Sequence, residues 1–230
     1  MKKKLTLLIY PLVLFGFVIV FSNSCKKEDT TNSTVTDIDG NIYHTVNIGT
    51  QVWMVENLKT VSYRNGDPIS NVTDTTEWVN LTAGAFCYYN NDKNNSISYG
   101  ILYNYYAVID GRNIAPPGWH IPSDSEWTIL ITYLGGQQVA GGYLKENGTL
   151  HWQAPNYVAT NQTAFNALPG GFRSNYRGIF FNLGTQGNWW SSTLNYSDRA
   201  WSFNMPNTSK FTWEMNSSML NGYSVHCVKD

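Results

Sequence analysis

Between Pro122 and Leu134 the chain spells out a helix start and a buried helix face. Ser123 stands at an N-cap position and Glu126 follows three residues later. That is the spacing of a capping box, in which the Ser side chain accepts from the Glu amide and the Glu side chain reaches back. Asp124 falls in the first turn, where the helix dipole favours a negative charge. Trp127, Leu130, Ile131 and Leu134 then recur at i, i+3, i+4 and i+7, one apolar stripe. Gly135-Gly136 stops the helix. A second helix is predicted from Gln137 to Glu146, ending at Asn147-Gly148, with Gly141-Gly142 weakening its middle.

The rest of the chain reads as short strands and loops. Asp39-Gly40 and Gly49-Thr50 are turn signals, and the alternation around them predicts antiparallel strands. The segment "GAFCYYN" is strand-like, "NNDKNNSIS" is a loop, and "YGILYNYYAVID" predicts a short buried helix. "RAWSFNM", "KFTWEMN" and "GYSVHCVKD" predict short alternating strands separated by polar loops. Aromatic residues make up 15% of the chain, ample material for a core. Trp201, and Trp189 or Trp190, are expected inside it. Two central helices flanked by short antiparallel strands and long loops make an α+β domain.

The first 30 residues follow a different logic. Lys2 to Lys4 precede an apolar run from Leu5 to Phe21, then small polar residues and Cys25. This is the layout of a secretory signal, here residues 1–24. The alternative is an uncleaved anchor, since the run is near the lower length limit for a membrane span. Ser22-Asn23-Ser24-Cys25 resembles a bacterial lipobox, which makes Cys25 the lipidation site and the membrane anchor. Residues 25–36 read as a polar tether, and residues 37–230 as the folded domain. Once the signal is removed, twelve basic residues face sixteen acidic ones. No basic cluster remains to neutralise phosphates, which argues against nucleic acid as a partner. In an exported domain, Cys87 and Cys227 most simply form one disulfide closing a loop of about 140 residues. Two buried free thiols are the alternative.

Seven ordered blocks then carry a resemblance: "DIDGNIYHTVNIGTQVWMVENLK", "YGILYNYYAV", "APPGWHIPSDSEW", "GGYLKENGTLHW", "FNALPGGFR", "NWWSST" and "GYSVHCVKD". Together they resemble the Fibrobacter succinogenes major paralogous domain over essentially all of residues 35 to 230. The resemblance implies a C-type-lectin-like fold, related to formylglycine-generating-enzyme domains, on an exported lipoprotein of the Bacteroidetes or Fibrobacteres. The Lys and acidic residues after Cys25 also resemble the surface-export signal of Bacteroidetes lipoproteins, which places the protein at the outer membrane. No general activity is established for the family.

Catalytic readings find little support. His120, Ser123, Asp124 and Glu126 are close in sequence, but a hydrolase triad is defined in space, no GxSxG elbow is present, and Ser123 serves as a cap. The formylglycine-generating chemistry of relatives uses two reactive Cys near the C-terminus, where this chain has Cys227 alone. His44, His120, His151 and His226 show no zinc-ligand spacing. Asp37-x-Asp39-Gly40-Asn41 lacks the later ligands of an EF-hand loop and reads as a turn. The calcium triplets of C-type lectins are not matched either: Ala154-Pro155-Asn156 lacks the Gln or acidic ligand, and Asn90-Asn91-Asp92 lies before the helices. No catalytic residue, cofactor or metal is predicted. The expected function is non-catalytic binding of a glycan or surface protein. Its contact residues are expected in the C-terminal polar loops, at Tyr196, Arg199, Asn207, Lys210 and Asn216. The rival reading is a structural or assembly component of the cell envelope with no external ligand.

Overall fold

A computed structural model describes residues 33–230. The expected signal peptide and the lipidation site Cys25 lie outside the described residues. The chain mixes strands and helices, with strands dominating. In order they are β1 (Thr34–Thr36), β2 (Ile42–Ile48), β3 (Gln51–Met54), β4 (Ser70–Asn71), α1 (Thr75–Val79), β5 (Ala85–Cys87), α2 (Asn95–Tyr99), β6 (Leu102–Tyr103) and α3 (Tyr105–Val108). Then follow β7 (Trp119–His120), α4 (Asp124–Tyr133), α5 (Gln137–Leu144), β8 (Gly170–Arg173), β9 (Phe180–Leu183), β10 (Gln186–Tyr196), β11 (Arg199–Pro206), β12 (Trp213–Ser218) and β13 (Val228–Lys229).

The two ends of the domain meet in one five-stranded sheet ordered β1-β2-β3-β13-β7. Val228 of β13 pairs with Trp53 on one side and His120 on the other. Thr34–Thr36, at the end of the segment expected as a tether, pairs with β2, Val35 opposite Tyr43; residues 25–32 lie outside the described residues. The turn after β1 closes on Asp37. One carboxylate oxygen accepts from the Asp39 and Asn41 amides, and the other from the Tyr43 hydroxyl at 2.6 Å. Asp39 in turn accepts from Thr60, Val61 and Ser62. Both carboxylates are thus consumed in fixing a turn and a loop, as expected of a turn rather than a calcium loop.

A second antiparallel sheet, β10-β11-β12, divides the interior. Adjacent residues on a strand point to opposite faces, and Trp189 and Trp190 use this fully. Both are wholly buried, Trp189 in the cluster holding α4 and α5, and Trp190 in the cluster holding Tyr103, Tyr105 and Tyr223. Trp201, expected in the core, is only partly buried. It sits near the β10–β11 turn, two positions before Phe203, on which Trp127 of α4 stacks at 4.9 Å.

Helix α4 forms as its local signals dictate. The Ser123 hydroxyl accepts from the Glu126 amide, and the Glu126 carboxylate accepts from the Ser123 amide. Trp127, Leu130 and Ile131 are buried. Helix α5 tolerates Gly141-Gly142 because backbone packs against it. A Cβ on Gly141 would lie 2.6 Å from the Phe211 carbonyl, and one on Gly142 would lie 2.9 Å from the Val158 carbonyl.

Two segments depart from expectation. "YGILYNYYAVID" forms the short strand β6 and the single turn α3 rather than one helix. Asn104 breaks it, accepting from the Ala85 and Ala107 amides. "GYSVHCVKD" is paired as a strand only at Val228–Lys229, with isolated bridges from Gly222, Tyr223 and Ser224 to three different elements. Residues 221–228 are all buried. A segment enclosed on every side has no solvent face to set a register, so its alternation is not used as a ladder.

Candidate functional site

The polar cluster around α4 resolves into one connected network. His120 Nδ1 lies 2.7 Å from Asp230 Oδ1, and Nε2 lies 2.8 Å from Glu126 Oε1. The other oxygen of Glu126 accepts from the Ser123 amide and hydroxyl, each at 2.8 Å. Burial opposes a charge on His120, but the hydrogen bonds to Asp230 and Glu126 prevail and hold it above the usual imidazole range. Burial also opposes the Glu126 carboxylate. The Ser123 and His120 hydrogen bonds outweigh that and keep it below the usual range. A ring engaged by carboxylates on both nitrogens has none left to take a proton from Ser123. The network is built to hold the C-terminus against the start of α4, not to activate a hydroxyl.

The other candidate groups are also accounted for. No disulfide joins Cys87 and Cys227: both are free, buried thiols. They belong to different parts of the interior, Cys87 with Val72, Trp78 and Leu102, and Cys227 with Met54, Tyr43 and Val225. Burial pushes the Cys87 thiol up to about 12 and the Cys227 thiol up as well. Neither is a thiolate nucleophile at neutral pH. His226 is buried and stacked on Phe165 at 4.4 Å, with Nδ1 3.0 Å from the Met54 carbonyl. Among the described residues, no group of three or more His, Cys, Asp or Glu side chains is placed to hold a metal ion.

Three of the five predicted contact residues come together. The β10–β11 turn pairs Tyr196 with Arg199, and β12 runs alongside with Arg199 opposite Ser218 and Trp201 opposite Asn216. Residues directly opposite share a face, so Tyr196, Arg199, Trp201 and Asn216 occupy one end of one sheet face. Tyr196 is 64% exposed. The Arg199 guanidinium leans along β12 and donates to the Asn216 carbonyl at 3.2 Å. Glu214 shares this face, next along β12 and opposite Phe203. Burial, and then the nearby Asp124, raise its carboxyl.

The other two residues do not join them. Asn207 and Lys210 lie in the β11–β12 connection, at the opposite end of the sheet. Asn207 is only 8% exposed, and its amide donates to the Gln153 and Ala154 carbonyls. It fastens the loop and is buried, with its amide already committed. The Lys210 carbonyl accepts from the Gly142 amide at 3.1 Å, which fixes it against α5.

The model of the Fibrobacter succinogenes major domain matches residues 46–229. The chain belongs to that family. The match runs from within β2 to β13, so β3, β7 and β13 of the five-stranded sheet and the whole β10-β11-β12 wall lie within the family domain, and β1 lies before it. No curated protein and no solved structure matches the chain.

Proposed function

We propose that this Fibrobacter succinogenes major domain is a non-catalytic recognition module, C-type-lectin-like in fold. It is displayed on the cell envelope through a lipidated Cys25, and it binds a glycan or protein ligand. The arrangement of α4 and α5 against short antiparallel strands with long connections supports the lectin-like reading. The observation that carries the functional reading is the sheet face on which the exposed Tyr196 and Arg199 meet the partly buried Trp201 and Asn216. Aromatic rings, a guanidinium and amide groups suit adaptable recognition. The polar groups around α4 that resemble a catalytic set are meanwhile committed to each other. Glycan-array and surface-protein pull-down screens with the full-length protein test it. Arg199→Ala and Tyr196→Ala should each weaken any captured ligand by about 1 kcal/mol or more. Two clean screens with wild-type protein would sink the reading.

The assembly alternative has an observation of its own. Strand β12 is the outer strand of its sheet, and Trp213 and Met215 stand 46% and 45% exposed along it. An open edge with exposed apolar side chains is a template for pairing with another strand. Concentration-dependent association that Trp213→Lys abolishes, with no ligand in either screen, would favour this second reading.

A further inference from the structure

A hollow of about 410 Å³ opens where the β2–β3 turn, the end of α4, helix α5 and the loop 156–166 converge. That volume lies within the roughly 300–1,000 Å³ range of small-ligand sites. Its wall includes Asn47, Ile48, Tyr133, Tyr143, Gln162 and Thr163, and no charged side chain lines it. The hydroxyls of Tyr133 and Tyr143 and the amides of Asn47 and Gln162 make no hydrogen bond to protein among the described residues, and Asn47, Tyr133 and Gln162 are open to solvent. Four uncommitted polar groups therefore border two aromatic rings.

The wall is fixed. The Tyr133 ring is 65% exposed yet rests on Gly49, where a Cβ would come within 3.0 Å of the ring. The 156–166 loop is tied to α5: the Thr160 amide donates to the Gly142 carbonyl, and the Thr163 hydroxyl and amide both donate to the Tyr143 carbonyl. Asn156, Val158, Asn161, Ala164 and Asn166 all hold φ between 37° and 57° in this loop. For the β-branched Val158 that conformation is a true outlier. Strain of this kind persists where the surroundings fix a shape, and it clusters at ligand-holding loops.

We propose that this hollow binds the terminus of a neutral carbohydrate. The rings of Tyr133 and Tyr143 would take the apolar C–H face of a sugar, and Asn47, Gln162 and the tyrosine hydroxyls would exchange hydrogen bonds with its hydroxyls. An anionic sugar is disfavoured, because its carboxylate would lose water with no cation in the wall to replace it. This inference rests on the recognition reading above. It names a ligand class and a site separate from the Tyr196–Arg199 face.

Saturation-transfer NMR on the full-length protein in detergent tests it. The probes are methyl glycosides of glucose, galactose, mannose and N-acetylglucosamine and their short oligomers, with N-acetylneuraminic acid as the anionic comparator. Binding of at least one neutral probe is expected. Tyr133→Ala and Gln162→Ala should each weaken it about tenfold or more, Tyr133→Phe should keep most of it, and Arg199→Ala should leave it unchanged. Gln162 is exposed, so its variant remains informative if loss of Tyr133 disturbs the β2–β3 turn. Binding lost in Arg199→Ala but kept in Tyr133→Ala and Gln162→Ala would overturn the site while leaving the recognition reading intact. A preference for N-acetylneuraminic acid would overturn the neutral class. No binding of any probe would overturn the carbohydrate assignment of the hollow. The recognition reading would then stand or fall on the screens of the Tyr196–Arg199 face.

Discussion

At the scale of single residues, Ser123 and the two cysteines are the sharpest cases. Ser123 caps α4 and donates to Glu126, which in turn anchors His120. Ser123→Ala should cost about 1 kcal/mol, the usual value of an N-cap. Denaturant titration checks this, and ligand binding by the folded variant should not change. The capping half of this network was legible in sequence because three residues separate its members. The role of His120 was not, because one of its partners, Asp230, is 110 residues away. Cys87 and Cys227 show the same limit from the other side. In a chain expected to be exported, a disulfide is the simplest reading of two cysteines, but composition cannot say that the fold buries them in separate clusters. Alkylation of the native protein followed by peptide mass spectrometry should find both unmodified, and brief denaturation without reductant should make both fully reactive. A Cys87–Cys227 peptide surviving denaturation would reinstate the bridge.

At the scale of elements, the glycines of α5 mean something different from what propensity implies. Gly in a helix interior costs about 1 kcal/mol relative to Ala, so Gly141→Ala looks stabilising on the sequence alone. The Phe211 and Lys210 carbonyls stand 2.6 and 2.9 Å from where the new methyl would go. Backbone cannot step aside as a flexible side chain would. Overpacking of this kind costs typically about 1–3 kcal/mol, so Gly141→Ala should lower stability and the melting temperature. Gln138→Ala, at an exposed position on the same helix, should be close to neutral. A stabilised Gly141→Ala would mean that the β11–β12 connection does not lie against α5 as described. Elements with a local signal, such as α4, the Asp39-Gly40 turn and the strands with one solvent face, could be read from sequence. Those defined by enclosure could not. Residues 221–228 are buried throughout, and Trp201 is only partly buried although its chemistry matches that of the buried Trp189 and Trp190. The same holds for the candidate site: strand alternation brings Tyr196, Arg199 and Asn216 together, whereas Asn207 is claimed by carbonyls 53 and 54 residues away.

At the scale of the whole molecule, long loops leave many carbonyls in need of donors, and three cations meet part of that need. Arg64 donates to three carbonyls between Ala115 and Trp119. Arg173, fully buried, donates to four, and Lys145 to those of Tyr157, Pro206 and Ser209. Lys145 is the one whose charge can be removed within a mild pH range, because burial lowers its amine to about 8. Together with two histidines it predicts the pH dependence of stability. Burial holds His226 down to about 3. Between that value and the ordinary imidazole value of about 6.5, the unfolded chain binds a proton that the native chain refuses, so stability rises with pH. His120 is raised, so its contribution is fully present below about 6.5 and is lost as pH climbs through the higher native value. Lys145 is lowered, so above about 8 the unfolded chain again binds the extra proton and stability turns upward. The expected profile has a maximum near pH 6.5, a dip toward 8 and a recovery beyond it, measured as unfolding free energy by denaturant titration across pH 4 to 10. His120→Gln should flatten the descent above the maximum and leave the acid limb. Lys145→Met should lower stability overall and abolish the alkaline recovery. A recovery that survives Lys145→Met would assign it to another group and leave the Lys145 ammonium charged throughout, held by its three carbonyls.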